Sequence, residues 1–249
     1  MNLGRAWSRL RLNVLFELKG MRLYWMQIVS SLFIMPLALL FIQLMASGSD
    51  SQKLGYGLSG FIAASMVGSL IGCLSLRVCN MMLPDVLELY TTFSLGKLEM
   101  IIGMSITYCL LSLPQIIVAI AATALLVPIP NLALYLLAIL FGMFTLAVVS
   151  SGLGLIVKNY YQAMGLFPLL TFAFVLLSPA YVEQSGSEFL KVIFLANPLT
   201  HLLNLIRSGL GFATPIEATW SLIYMICLIV AILFVERRKL RDFYILEKY

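Results

Sequence analysis

Residues 83–99 read LPDVLELYTTFSLGKLE, a polar stretch inside a chain that is otherwise very apolar. Pro84 and Asp85 are typical of a helix start, because the N–H that proline lacks is unpaired there and a carboxylate suits the positive end of the helix. A helix over residues 84–93 has one apolar face, formed by four residues at helical spacing: Val86, Leu87, Tyr90 and Phe93. The stretch therefore predicts a short amphipathic helix. It either presses on a partner protein or is a solvated connector, and the segment alone favours neither.

The composition on both sides of this stretch is that of a membrane protein. Hydrophobic residues make up 61% of the chain and charged residues 11%, with a mean hydropathy of +1.01. A water-soluble domain carries roughly 25% charged residues. Apolar runs of about 20 residues are long enough to cross the hydrocarbon core of a bilayer as helices. The sequence therefore predicts an all-α integral membrane protein.

Six apolar segments are long enough to be membrane spans. They lie near residues 24–45, 55–76, 101–127, 132–157, 164–181 and 217–235. Residues 23–249 are predicted to form a single six-span domain, in which the 84–93 helix lies between spans two and three.

The amino-terminal segment, residues 1–22, has the pattern of an amphipathic helix. Apolar residues recur at spacings of three and four: Leu3, Trp7, Leu10, Val14 and Leu18. Arginine and lysine residues occupy the other side, as in helices that lie in the membrane interface. The alternative is a basic flank that only orients the first span.

A second polar stretch, residues 182–215, precedes the last span. Asn197-Pro198 divides it into two candidate helices, 189–196 and 199–212. Each is too short to cross a bilayer. We therefore expect them to enter the membrane and return on the same side, as re-entrant helices.

Lysine and arginine residues in the loops predict the orientation. The side that holds both termini, the 77–100 loop and Lys158 carries 13 of them, against 3 on the other side. Cytoplasmic loops are enriched in these residues. Both termini and the 84–93 helix are therefore predicted to lie in the cytoplasm, with residues 182–215 on the outside. Because the basic residues flank membrane spans, they do not indicate nucleic-acid binding.

Three stretches carry a resemblance to a known family. The first is Leu87-Glu88, followed eleven residues later by Glu99 and the start of span three. The second is residues 152–164, GLGLIVKNYYQAM, and the third is residues 197–200, NPLT, followed by Leu203 and Arg207. Together with the six spans, these resemble the permease subunit of a type-2 ABC exporter. The loop departs from the family pattern where Pro84-Asp85-Val86 stands in place of Gly-Thr.

The resemblance implies a half-channel that forms a homodimer, or a dimer with a related permease, and binds two copies of a separate ATPase subunit. The helix over residues 84–93 would be the coupling helix seated in that ATPase. Its contact residues would be Pro84, Asp85, Leu87, Glu88, Tyr90 and Phe93. The residues of the re-entrant cap above the pathway would be Asn197, Pro198, Thr200, His201 and Arg207. Asp85 and Glu88 would pair with basic residues of the ATPase, or else only solvate the helix.

No phosphate-binding loop is present in the sequence, since the only Gly-Lys pair, Gly96-Lys97, lacks the other residues of that motif. We therefore expect no catalytic activity in this chain, with ATP and Mg²⁺ bound by the partner ATPase. The four cysteines are scattered and His201 is the single histidine, so no metal or cofactor site is predicted. His201 is interpreted as a polar residue of the cap, and an Arg207–Glu217 ion pair is a hypothesis.

The predicted spans carry almost no ionisable residues, which disfavours an ion-coupled transporter. They suit a hydrophobic or amphiphilic substrate, such as a drug, an antibiotic or a lipid-like molecule. Export of a polysaccharide or a lipid-linked glycan is the alternative within the same architecture. A membrane enzyme acting on lipids would need clustered His, Asp or Glu residues, which the sequence does not supply. The expected location is the plasma or inner membrane, in contact with lipid.

Overall fold

The computed structural model describes residues 3–29, 33–34, 37–38, 40–41, 45, 51–91, 96–180 and 188–246. In these ranges the chain forms helices and connecting turns, without strands. We number the helices in chain order: α1 (Leu3–Gly20), α2 (Trp25–Val29), α3 (Ser51–Met81), α4 (Pro84–Thr91), α5 (Lys97–Leu126), α6 (Leu132–Ile156), α7 (Tyr160–Leu176), α8 (Glu188–Ala196), α9 (Pro198–Gly209) and α10 (Ala218–Leu246). The predicted all-α class is confirmed.

Four helices of the described part are long and apolar enough to cross a membrane. They are α3, α5, α6 and the first 24 residues of α10, Ala218–Arg241. Helix α7 is equally apolar but has 17 residues. The predicted first span, residues 24–45, is described only in pieces, residues 24–29, 33–34, 37–38, 40–41 and 45. The chain is therefore a multi-pass membrane protein, and the number six stays a prediction.

Helix α3 is the centre of the bundle. Of its most apolar 18 residues 94% are buried, against 11% for α10. It packs against α5, α6 and α7. Helix α6 approaches it closely at Gly154, where a Cβ atom would collide with the backbone oxygen of Ser75 and with the side chain of Val78. The middle of α3, Gly68–Leu74, is a fully buried π-helix, a distortion that is frequent at functional sites.

The bundle has two ends, which we name the α4 end and the cap end. Helix α3 ends at Met81 next to α4, and α5 returns from there. Helices α8 and α9 lie at the opposite, cap end, where α9 contacts the first turns of α3. Helix α9 also packs on α6 and α10, and all of its residues except Ser208 are buried.

Several helix bounds differ from the sequence prediction. Helix α3 extends beyond the predicted 55–76 at both ends, and α10 continues past the predicted end at 235 to Leu246. The predicted loop 158–163 is wrong for residues 160–163. There α7 begins, because the Asn159 side chain accepts hydrogen bonds from the N–H groups of Tyr161 and Gln162. Hydropathy marks the apolar part of a helix, whereas the helix itself continues into its polar ends.

Helix α1 packs on α5 through the face that carries Asn13 and Glu17, and only part of its predicted apolar face, Leu10 and Val14, is half-buried there. Asn13 and Glu17 are buried against the bundle, whereas Trp7 is 71% exposed and Leu18 is exposed as well. The outward apolar face is the arrangement expected of a helix that lies on a membrane surface.

Candidate functional site

Helix α4 is joined to α3 by a turn of two residues. The N–H of Met82 donates to the oxygen of Cys79 at 3.1 Å, and the N–H of Leu83 donates to the oxygen of Asn80 at 3.1 Å. The N–H of Val86 in turn donates to the oxygen of Leu83 at 3.1 Å. This hydrogen-bonded turn connects the end of α3 directly to the start of α4.

The surface of α4 is charged at the described positions. Pro84, Asp85 and Glu88 are exposed, and Val86 is half-buried and packed on the main core. Leu87 and Tyr90 belong to the helix, but their side chains lie outside the described residues, as does Phe93 altogether. The structure thus places two exposed carboxylates, Asp85 and Glu88, at the α4 end of the bundle. Contact of the six predicted residues with an ATPase stays a prediction.

A buried ion pair joins α1 to the end of α3. Arg77 Nε donates to Glu17 Oε2 at 2.8 Å and Arg77 Nη2 donates to Glu17 Oε1 at 3.0 Å. The side chains are 14% and 2% exposed. A two-point guanidinium–carboxylate contact fixes the orientation of both groups. It holds α1 against the last turns of α3, directly before α4.

Asn13 makes the corresponding contact between α1 and the start of α5. Its Nδ2 atom donates to the backbone oxygens of Glu99 at 3.0 Å and Met100 at 3.3 Å. A Cβ atom at Gly103 would overlap Asn13, so the glycine admits the close approach. The Glu99 carboxylate accepts from the N–H of Gly96 at 3.0 Å and closes the start of α5. Helix α1 therefore connects the two long helices between which α4 lies.

At the cap end, Asn197 fixes the start of α9. Its Oδ1 atom accepts from the N–H of Leu199 at 2.9 Å, and Pro198 occupies the first turn. Its Nδ2 atom donates to the oxygens of Phe174 and Leu177, both at 2.7 Å. These carbonyls belong to the last turn of α7, whose end is thereby tied to α9.

His201 is buried and both of its ring nitrogens are engaged. Nε2 lies 2.9 Å from the oxygen of Leu195, which only accepts, so Nε2 carries the hydrogen. Nδ1 lies 3.3 Å from Ser221 Oγ and accepts from it. The ring also stacks on Tyr224, with centroids 3.9 Å apart. Burial lowers the pKa of His201 below its ordinary value of 6.5, and the Leu195 hydrogen bond opposes this in part. The imidazole is therefore neutral near pH 7.

Arg207 joins α9 to α3 and to the segment after α7. Nε donates to Ser59 Oγ at 3.1 Å, and Nη2 donates to the oxygens of Ala180 at 2.9 Å and Tyr56 at 3.5 Å. The guanidinium carbon lies 4.1 Å from the centre of the Tyr56 ring, a cation–π contact. The hypothesis of an Arg207–Glu217 ion pair is wrong, since Arg207 points to these groups and Glu217 lies beside Thr219.

The comparison with known proteins decides the family. The model of the ABC-2 type transporter family matches residues 9–210 of the 249. The chain belongs to this family. A comparison with curated proteins gave no match. The resemblance to a type-2 ABC transporter permease is thus confirmed, and the chain is the membrane permease component of an ABC transporter, whereas the direction of transport stays a prediction.

The family match includes most of α1 and ends directly after α9, so it covers both ends of the bundle described above. In this ABC-2 permease the described residues contain no group of three His, Cys, Asp or Glu side chains that is able to hold a metal ion.

Three polar contacts of this ABC-2 permease escaped the sequence analysis. They are the Glu17–Arg77 pair, the Asn13 contact and a hydrogen bond from Ser151 on α6 to Glu236 on α10. Glu236 stands next to basic residues in the sequence after the predicted last span, yet it is buried beside Gly152. The partners are 60 to 87 residues apart, and such pairs leave no local pattern. The one available signal was a lone carboxylate, Glu17, on a helix that is otherwise basic.

Proposed function

We propose that this chain is the permease half of an ATP-driven exporter, and that α4 is the helix through which a separate ATPase subunit acts on it. The observation that carries the proposal is the setting of α4. It is joined to the central helix α3 by a hydrogen-bonded turn, and α1 links α3 to α5 on either side of it. Movement of α4 by a closing ATPase would therefore tilt α3 and α5 together as a rigid unit.

The assembly we propose contains two copies of this chain and two ATPase subunits, with ATP and Mg²⁺ bound by the latter. The distribution of basic residues supports a cytoplasmic position for α4 and both termini. The exposed carboxylates of α4, Asp85 and Glu88, suit a basic groove on the ATPase. The apolar, largely exposed surface of α10 suits contact with lipid or with the second copy.

The substrate class we propose is a hydrophobic or amphiphilic molecule, such as a drug, an antibiotic or a lipid-like compound. The apolar helices and the shortage of charged groups at membrane depth support it. A polysaccharide or a lipid-linked glycan is the alternative cargo of the same assembly, and no observation on the structure favours it over the first.

Co-purification with charge reversal tests this proposal. The tagged chain is purified in mild detergent from its own host, and ATP hydrolysis by the preparation is measured for the wild type, for Glu88→Lys with Tyr90→Ala, and for Glu217→Lys. Glu217 is an exposed carboxylate at the cap end and serves as the matched control. We expect an ATPase with the wild type and the control and its loss with the double variant. Absence of ATPase activity from every preparation would refute the proposal.

A further inference from the structure

A small cavity lies at the cap end, between α9, the first turns of α3 and the segment that leads into α10. Its volume is about 20 Å³, which holds one water-sized group. Three polar side chains of α9 line it, Thr200, Asn204 and Arg207, and they are 2%, 4% and 5% exposed. The remaining wall is mostly apolar and includes Tyr56, Pro179 and Pro215.

Two polar atoms of the lining, Thr200 Oγ1 and Asn204 Oδ1, are buried and have no hydrogen-bond partner among the residues that the structure describes. The orientation of the Asn204 amide is fixed, because Nδ2 donates both hydrogens, to the oxygen of Ile216 at 2.6 Å and to Ser221 Oγ at 2.9 Å. Oδ1 is therefore an acceptor that needs a donor. A buried polar atom that stays unpaired costs about 1–3 kcal/mol, so a bound group that satisfies both atoms is favoured.

The lining selects the chemistry of that group. A cationic ammonium would face the positive charge of Arg207 at close range, and an anion offers no hydrogen to Asn204 Oδ1. A neutral hydroxyl meets both requirements, because it donates one hydrogen to Asn204 Oδ1 and accepts one from Thr200 Oγ1. The cavity has room for the hydroxyl group alone, so the carbon atoms of an alcohol would lie outside it.

We propose that this cavity is a binding site for the hydroxyl group of a neutral amphiphile, with a water molecule in the same place when no amphiphile is bound. The inference rests on the proposed function in one respect, namely that the amphiphile is the transported molecule or shares its head group. According to this proposal, the cap end, which is the end of the bundle farthest from α4, recognises an uncharged substrate that bears a hydroxyl group.

The test is thermal unfolding of the purified chain in nanodiscs, titrated with four probes of similar chain length: 1-decanol, decyl methyl ether, decylamine and decanoate. Only 1-decanol presents a neutral donor and acceptor on one atom. We expect it to raise the melting temperature of the wild type in a saturable manner, and the other three probes not to do so. Equal effects of all four probes would overturn the proposal.

Three variants complete the test. Thr200→Val removes the hydroxyl with little change in shape, and we expect the apparent affinity for 1-decanol to fall at least about tenfold. Thr200→Ser keeps the hydroxyl and should retain the affinity. Thr171→Val is the control, since Thr171 is buried on α7 and its hydroxyl already donates to the oxygen of Phe167. It should leave the affinity unchanged.

The same variants distinguish the two sources of the hydroxyl. If Thr200→Val lowers the melting temperature without any probe and 1-decanol has no effect, the site holds water alone and its role in amphiphile recognition is refuted. If the melting temperature of Thr200→Val is equal to or higher than that of the wild type, and 1-decanol raises both melting temperatures equally, the cavity binds no hydroxyl group at all. None of these measurements uses ATP or an ATPase subunit. A result that refutes hydroxyl binding in the cavity is therefore distinguishable from one that refutes the proposed function.

Discussion

At the scale of single residues, the contact between Arg77 and Glu17 holds α1 against the last turns of α3, directly before α4. Glu17 is 2% exposed and Arg77 is 14% exposed, so replacing Arg77 removes an opposite charge that is in direct contact with a buried carboxylate. We predict that Arg77→Gln lowers the free energy of unfolding by about 3–5 kcal/mol. Chemical denaturation of the purified chain in detergent measures this.

The matched control is the double variant Glu17→Met with Arg77→Met, which replaces the pair by apolar side chains of similar length. Such replacements are often neutral or stabilising, so the double variant should unfold at a higher denaturant concentration than Arg77→Gln. If the double variant is the less stable of the two, the buried charges are not what makes Arg77→Gln destabilising.

His201 gives the cap a dependence on pH whose sign follows from its surroundings. Because burial lowers its pKa below 6.5, the unfolded chain takes up a proton that the folded chain does not as the pH falls below this value. Stability is therefore complete above pH 6.5 and is lost progressively below it, by at most about 1.4 kcal/mol per pH unit. Melting temperatures between pH 5 and 8 measure the effect. His201→Gln should flatten this part of the profile, and an unchanged profile would contradict the assignment.

At the scale of elements, the proposed coupling requires that motion passes from α4 to α3 through the turn between them. Inserting Gly-Gly between Met82 and Leu83 breaks the hydrogen bond from Leu83 to Asn80, which crosses the insertion point, and adds two flexible residues to the turn, but it leaves the surface of α4 intact. We predict that the ATPase still co-purifies with this variant, whereas substrate export and the substrate stimulation of ATP hydrolysis are lost. Insertion of Gly-Gly between Pro128 and Ile129, in the connection at the cap end, is the control. Substrate export by the variant with Gly-Gly between Met82 and Leu83 would exclude rigid coupling through this turn.

The elements also show what the sequence was able to predict. Apolar runs predicted α3, α5, α6 and α10, and Pro84-Asp85 predicted the start of α4 correctly. Asn197-Pro198 likewise predicted the break between α8 and α9. The helix ends were missed where a polar residue continues or caps a helix, as at Asn159. Which face of α1 meets the bundle was not predictable, because Asn13 and Glu17 are buried through contacts with residues far away in the sequence.

At the scale of the whole molecule, the two ends of the bundle should lie on opposite sides of the membrane. We predict that Glu217→Cys is labelled by a membrane-impermeant maleimide in intact cells, and that Glu88→Cys is labelled only after the membrane is opened. Both variants are made in a chain whose four native cysteines are replaced by serine or alanine. The reverse pattern would place α4 outside and exclude contact with a cytoplasmic ATPase.

The most direct measurement of the central claim is site-specific photo-crosslinking of the assembled transporter in its own membrane. The photoreactive residue p-benzoylphenylalanine replaces Glu88 on α4 or, as the control, Glu217 at the cap end, and the crosslinked products are identified by mass spectrometry. The account predicts an ATPase subunit crosslinked at position 88 and none at position 217. Crosslinks from position 88 to lipid or to the second copy alone, or an ATPase crosslinked at position 217, would contradict it.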